Sequence, residues 1–202
     1  MIVLSFWAPF LLEVKMGFNT KIVDHIKDCA RAIQEGEIVA FGTETVYGLG
    51  ANCYDEKAVA KIFEAKGRPA DNPLIVHVSS IEQAKELAYE WTEEMDTIGR
   101  AFFPGPFTMV VKKSDKLPDI VSGGLDTVGI RMPGNYKAVK FIEECGVPIA
   151  APSANISGRP SPTTAKAVFN DMEGKIQYIL DCGDSLKAVS YTHLTLPTNS
   201  RV

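Results

Sequence analysis

The chain has 202 residues, 46% of them hydrophobic and 23% charged, which fits one globular domain able to bury a core. A formal charge of −4 with an isoelectric point near 5.4 argues against a general nucleic-acid binder, because phosphate neutralisation needs a surplus of Lys and Arg on one face. A local basic cleft stays compatible with that balance. Cys29, Cys53, Cys145 and Cys182 are scattered with no CxxC pair, so they indicate neither a zinc site nor a disulfide framework and read as small buried residues in a reducing compartment.

The apolar run Ile2–Leu12 is too short to span a membrane, lacks a basic start, and is followed by Glu13 and Lys15 without a small-residue cleavage site. Met16 opens a natural-looking start that leads into a first strand, so residues 1–15 are expected to be a non-native or disordered extension. From Val23 to Gln34 the apolar positions recur at helical spacing until Gly36, and Ile38–Phe41 is a short buried strand. Gly42–Gly50 reads as a loop, Glu56–Ala65 as a helix, Pro73–Val78 as a strand and Ile81–Trp91 as a helix. Pro104–Thr108 is a rigid turn into a strand over Phe107–Lys112. Thr127–Arg131 is a strand, Tyr136–Cys145 a helix, Pro148–Ala151 a buried run, Thr164–Phe169 a helix and Gln177–Asp181 a strand. This interleaving predicts a single α/β domain. The segment Val189–Thr198 resembles an in-frame translation of a transposon-type sequencing adaptor, so the natural domain is expected over residues 16–188 and an adaptor-derived tail over 189–202.

Four stretches carry chemistry. In Gly42-Thr43-Glu44-Thr45-Val46-Tyr47-Gly48-Leu49-Gly50, glycines allow close backbone approach while two threonines and a tyrosine offer hydroxyls. Alone, it is equally a plain turn. Lys66 and Arg68 place two cations beside a helix end, suited to phosphate oxygens or forming a solvated basic turn, and Asn72 between Asp71 and Pro73 has a restricted amide direction. His77 lies in an apolar strand, where a core histidine and a ligand-facing one look the same. Thr127, Gly129 and Arg131 share one strand face, and a cation there needs a partner: a ligand carboxylate or phosphate, or an internal ion pair. Finally, Pro148–Gly158 ends a buried strand in small and hydroxyl residues, with Ser153, Asn155 and, further on, Ser161 able to bond phosphate or ribose oxygens. No nucleophile with its base is recognisable.

Taken together, the Thr-x-Thr-x-Tyr-Gly-Leu loop, the Lys-x-Arg segment and the Ser-x-Asn segment resemble the YrdC-like threonylcarbamoyl-AMP synthase family from Phe41 to Ser161. That resemblance implies a twisted, mixed α/β sheet around a concave, positively lined cavity. It also implies synthesis of threonylcarbamoyl-AMP and pyrophosphate from L-threonine, bicarbonate and ATP, with Mg²⁺ accompanying ATP and no metal site on the protein. Carried over by position, Thr45, His77, Arg131 and Ala151 would contact threonine. Arg68, Asn72, Thr127, Ser153, Asn155 and Ser161 would contact ATP, and Lys66 with Arg68 would be the catalytic cations at the phosphates. The resemblance further implies a cytoplasmic protein with no membrane partner, weak contact with tRNA, and a downstream threonylcarbamoyl transferase complex.

After Asp184 the family continues into a Ser-Thr-containing strand and an Arg-Pro-Gly segment that complete the site, whereas the adaptor-like tail stands here. The chain as written is therefore expected to bind ATP weakly and turn over poorly. One rival reading is a double-stranded RNA or tRNA-binding module without catalysis, against which the acidic balance weighs. The other is the carbamoyl-adenylate chemistry of hydrogenase maturation proteins, whose additional zinc-finger-like and acylphosphatase modules this chain has no room for.

Overall fold

A computed structural model describes residues 17–67 and 72–185. The expected extension over 1–15, the expected tail over 189–202 and Arg68 lie outside the described residues.

The elements run β1 (Lys21–Val23), α1 (Ile26–Gln34), β2 (Val39–Gly42), β3 (Tyr47–Asn52), α2 (Glu56–Lys66), β4 (Ile75–His77), α3 (Ile81–Leu87), α4 (Glu93–Phe102), β5 (Met109–Lys112), α5 (Asp119–Ser122), β6 (Thr127–Arg131), α6 (Tyr136–Cys145), β7 (Ile149–Ala151), α7 (Ala165–Met172) and β8 (Tyr178–Leu180). Local chemistry sets several of these bounds. Asp55 caps α2 by accepting the Lys57 and Ala58 N–H groups, and Gly67 ends it in the left-handed conformation at φ 65°. Asn135 and Gly146 do the same for α6, the latter at φ 71°. No helix among the described residues is long and apolar enough to cross a membrane.

The strands form one eight-stranded sheet in the order β1-β8-β2-β3-β7-β4-β6-β5. It is mixed: β8 runs parallel to both β1 and β2, and β4 parallel to β6, while β2–β3, β3–β7, β4–β7 and β5–β6 are antiparallel. Strand alternation divides the core in two. One face sends Ile38, Ala40, Leu49, Val76, Ile130 and Ala150 against α2, α3, α5 and α7. The opposite face sends Val39, Phe41, Ile149 and Leu180 against α1 and α6, whose Cys29, Ile33, Phe141 and Ile142 complete the second cluster.

Helices cover that second face over only part of its width. Over β4, β6 and β5 it stays accessible: Ile75, Thr127 and Gly129 are half-buried, Lys112 is exposed, and Val110 is 67% exposed. Register lines these residues into rows. Val110 opposes Gly129, Gly129 opposes Ile75, and Ile75 opposes Ala151, while Lys112 opposes Thr127 one row away. Arg131, His77 and Ile149 make the row on the other side.

Several expectations change. The segment expected to be a loop through Gly50 contains β3, because Gly48 and Gly50 serve a packing need. A Cβ on Gly50 would stand 2.6 Å from Ile149 Cγ2 and 2.9 Å from Phe41 Cε1. Bare strand backbone thus makes a trough in which the Phe41 ring lies. The helix expected to start at Val23 starts at Ile26, since Val23 pairs with Leu180 in β1. The helix expected to reach Trp91 stops at Leu87, where Ala88 bridges Lys113 and the Tyr89 N–H bonds the Lys112 carbonyl at 2.9 Å. Helices α4 and α5 were not anticipated.

Candidate active site

The Gly42–Tyr47 connection curls over the open face and is fixed by its own hydroxyls. Thr43 Oγ1 donates to the Val46 carbonyl at 2.7 Å and lies 3.0 Å from Thr45 Oγ1. Both threonines are buried. The loop meets β6 through Arg131, whose Nη2 donates to Glu44 Oε1 at 2.6 Å and to Thr45 Oγ1 at 3.1 Å. The second oxygen of Glu44 accepts the Gly134 N–H at 2.8 Å. The Arg131 and Glu44 side chains are only 7% and 13% exposed. Burial works against the ionised Glu44, but the hydrogen bond and charge of Arg131 outweigh it and hold the carboxyl below its ordinary range.

The internal ion pair that stood as the alternative to a ligand partner for Arg131 is therefore present, and it leaves part of the guanidinium uncommitted. Buried Nε has no hydrogen-bond partner among the described residues. His77 sits beside Arg131 in register, its ring edge-on to Phe41 with centroids 5.7 Å apart. Burial first, then the Arg131 charge, pulls its pKa down to about 4, so the imidazole is neutral at pH 7. Its Nδ1 is also buried without a partner among the described residues. Unpaired polar atoms of this kind are costly in an interior and cluster where a ligand is to be met.

Ala151 lies one row from His77 and Arg131, at the inner end of the apolar floor. Ser153 continues the chain beyond it, bridging to Gly48, and the Leu49 N–H bonds the Pro152 carbonyl at 2.9 Å. Lys66, at the last turn of α2, is buried and donates to the carbonyls of Ser153 at 2.5 Å and Asn155 at 2.7 Å. Its ammonium thus fixes the loop that carries two other candidates. Ser153 Oγ donates to Asn155 Oδ1 at 2.5 Å, while Asn155 Nδ2 spends its donors on the carbonyls of Ile156 and Arg159. Thr127 is half-buried at the far end of the β6 face from Arg131, four residues or about 13 Å along the strand. Ser161 is half-buried, next to Pro162, whose carbonyl accepts the Tyr47 N–H at 2.8 Å. Asn72 is exposed, just before β4.

Thr45, His77, Arg131 and Ala151 are thus brought together, and Lys66, Ser153 and Asn155 form a second connected group beyond Ala151. Sequence reasoning passed over Glu44, although it stood inside the quoted loop. The need of Arg131 for a partner was the available signal.

An open α/β face with buried, unpaired polar atoms at one end and a lysine-braced loop beyond defines a small-molecule site built on a single mixed sheet. The family model Sua5/YciO/YrdC, described as "Telomere recombination", matches residues 31–194. The chain is 55% identical over 171 residues to the threonylcarbamoyl-AMP synthase of Pyrococcus abyssi, covering 85% of this chain and 50% of that protein. It is 49% identical over 171 residues to the threonylcarbamoyl-AMP synthase of Bacillus subtilis, covering 84% and 49%. The crystal structure of P. abyssi Sua5 complexed with L-threonine superposes with a TM-score of 0.80 at 52% identity, over 85% of this chain and 52% of that one. The chain belongs to the Sua5/YciO/YrdC family, and it spans about half the length of these relatives.

Proposed function

We propose that the protein is a threonylcarbamoyl-AMP synthase, or its catalytic domain. It would join L-threonine, bicarbonate and ATP to give threonylcarbamoyl-AMP, pyrophosphate and water, the product serving modification of tRNA in the cytoplasm. The observation that carries this reading is the meeting of Arg131, Thr45, His77 and Ala151 at one end of an open sheet face. Support comes from the similarity to a Sua5 whose structure is a complex with L-threonine.

Threonine's carboxylate pairs with the uncommitted side of the Arg131 guanidinium, while neutral His77 adds a polar contact without a competing charge. The nucleotide extends along the floor toward Thr127, Asn72, Ser153 and Ser161, with the Lys66-braced loop of Ser153 and Asn155 at its phosphates; the family resemblance assigns Arg68 to the same phosphates. The threonine amine adds to the carbon of bicarbonate, or of carbon dioxide formed from it, and water leaves. A carbamate oxygen then attacks the α-phosphorus, and the bond to the β-phosphate oxygen breaks to release pyrophosphate. Rate comes from positioning and charge stabilisation, not from a protein nucleophile. Among the described residues no group of three or more His, Cys, Asp or Glu side chains could hold a metal ion. Mg²⁺ would accompany the nucleotide and offset charge on its phosphates.

The test is incubation with ATP, bicarbonate and threonine while pyrophosphate is measured. Release that requires threonine is the expected result; release indifferent to its omission would sink the reading.

A further inference from the structure

Hydrogen-bond bookkeeping in the 43–46 loop gives Thr45 a fixed polarity. Arg131 Nη2 can only donate, so Thr45 Oγ1 accepts from it at 3.1 Å. The Val46 carbonyl can only accept, so the 2.7 Å contact commits the single hydroxyl proton of Thr43 to it. Thr43 Oγ1 is then an acceptor in the 3.0 Å contact with Thr45 Oγ1, and Thr45 is the donor there. The other lone pair of the same oxygen is shared by the longer contacts from the N–H groups of Thr45 at 3.2 Å and Val46 at 3.3 Å, and the main-chain carbonyl of Thr43 is held by Ser185 Oγ at 2.9 Å. The proton of Thr45 is therefore turned inward. What this hydroxyl offers the site is a lone pair alone.

Resting on the threonine reading above, we infer that Thr43 is a positioning residue that locks Thr45 as an acceptor-only contact for the substrate's α-amino group. The chemistry needs this polarity. The amine must present its lone pair to the carbon it attacks, and a hydroxyl free to rotate would donate to that lone pair and mask it. A locked acceptor instead takes an N–H, aiming the nitrogen while leaving its electrons exposed. Arg131 binds Thr45 and is the partner for the carboxylate, so the group that reaches Thr45 is the one next to that carboxylate, the α-substituent.

The prediction concerns any ligand with a carboxylate and a donor or acceptor on its α-carbon. It is tested by calorimetric competition against L-threonine on the full chain, comparing L-2-hydroxybutanoate, whose α-hydroxyl can donate, with 2-oxobutanoate, whose α-oxygen only accepts. The hydroxy acid should compete about tenfold better, one hydrogen bond's worth of discrimination. In Thr43→Val the freed Thr45 proton can serve either ligand, so the ratio should fall toward unity, while Thr43→Ser should keep it. The ratio is internal to each protein, so a merely structural role for Thr43 would not move it. Equal competition in the unaltered chain, or an undiminished ratio in Thr43→Val, overturns the inference and leaves the threonine reading standing. Failure of the unaltered chain to bind threonine at all removes both. Should Thr43→Val not fold, Thr43→Ala removes the same acceptor and is read by the same ratio.

Discussion

Two arginine–carboxylate contacts in this molecule have the same length and opposite consequences. Arg100 Nε stands 2.6 Å from Asp96 Oδ2 on the outer side of α4, and Arg131 Nη2 stands 2.6 Å from Glu44 Oε1. Arg100 is 62% exposed and its pair spans one helical turn; Arg131 is 7% exposed and its partner is 87 residues away in sequence. Water already satisfies the first pair, so closing it stabilises little. The second has no such alternative. Distance alone therefore says little about what an ion pair does; the surrounding medium decides.

The sharpest way to break the comparison is Glu44→Ala, which leaves a buried guanidinium without its counter-charge. A loss of about 4 kcal/mol in urea unfolding is expected, with loss of threonine binding; a loss below about 1 kcal/mol would mean the pair is not insulated. Lys66→Met removes the ammonium that holds the Ser153 and Asn155 carbonyls and strands two acceptors. We expect about 3 kcal/mol from the same measurement. His77 reports the dryness of the site through pH. Its folded pKa near 4 lies below the ordinary 6.5, so the stability it contributes is complete above pH 6.5 and is lost as pH falls toward 4. By pH 5 the loss is about 2 kcal/mol relative to pH 7, and His77→Gln should remove that part of the slope; parallel slopes in the two proteins would refute it. At the other extreme, Arg100→Gln should leave the thermal midpoint unchanged in moderate salt, because its exposed pair is screened and Asp96 keeps Lys85 at 2.9 Å.

The legible parts of this sequence were those whose physics is local. Thr127–Arg131 and Tyr136–Cys145 matched the structure at both ends, the strand through alternation and the helix through an asparagine cap and a terminal glycine. That alternation also placed Thr127, Gly129 and Arg131 on one face. Helix α4 was passed over although Thr92 caps it, acids fill its first turn and Met95, Ile98 and Phe102 recur at helical spacing. Ile98 and Phe102 stay exposed and only Gly99 is buried, so it is weakly tied to the core. Strand β3 was hidden because its glycines answer to Phe41, a residue on the neighbouring strand. Glu44 was present in the quoted loop, but its role depends on a side chain brought near only by the sheet order, which no local pattern encodes. The meeting of Thr45, His77, Arg131 and Ala151 was anticipated through family resemblance, since spacing alone left His77 and Arg131 open.

The trough cut by Gly48 and Gly50 reaches further than packing. Phe41 lies in it and presses edge-on against His77 from the far side of two intervening strands. A methyl group added at Gly50 would push that ring out of its groove and let water approach the imidazole. Part of the burial that keeps His77 neutral thus rests on two hydrogens where other residues carry carbon.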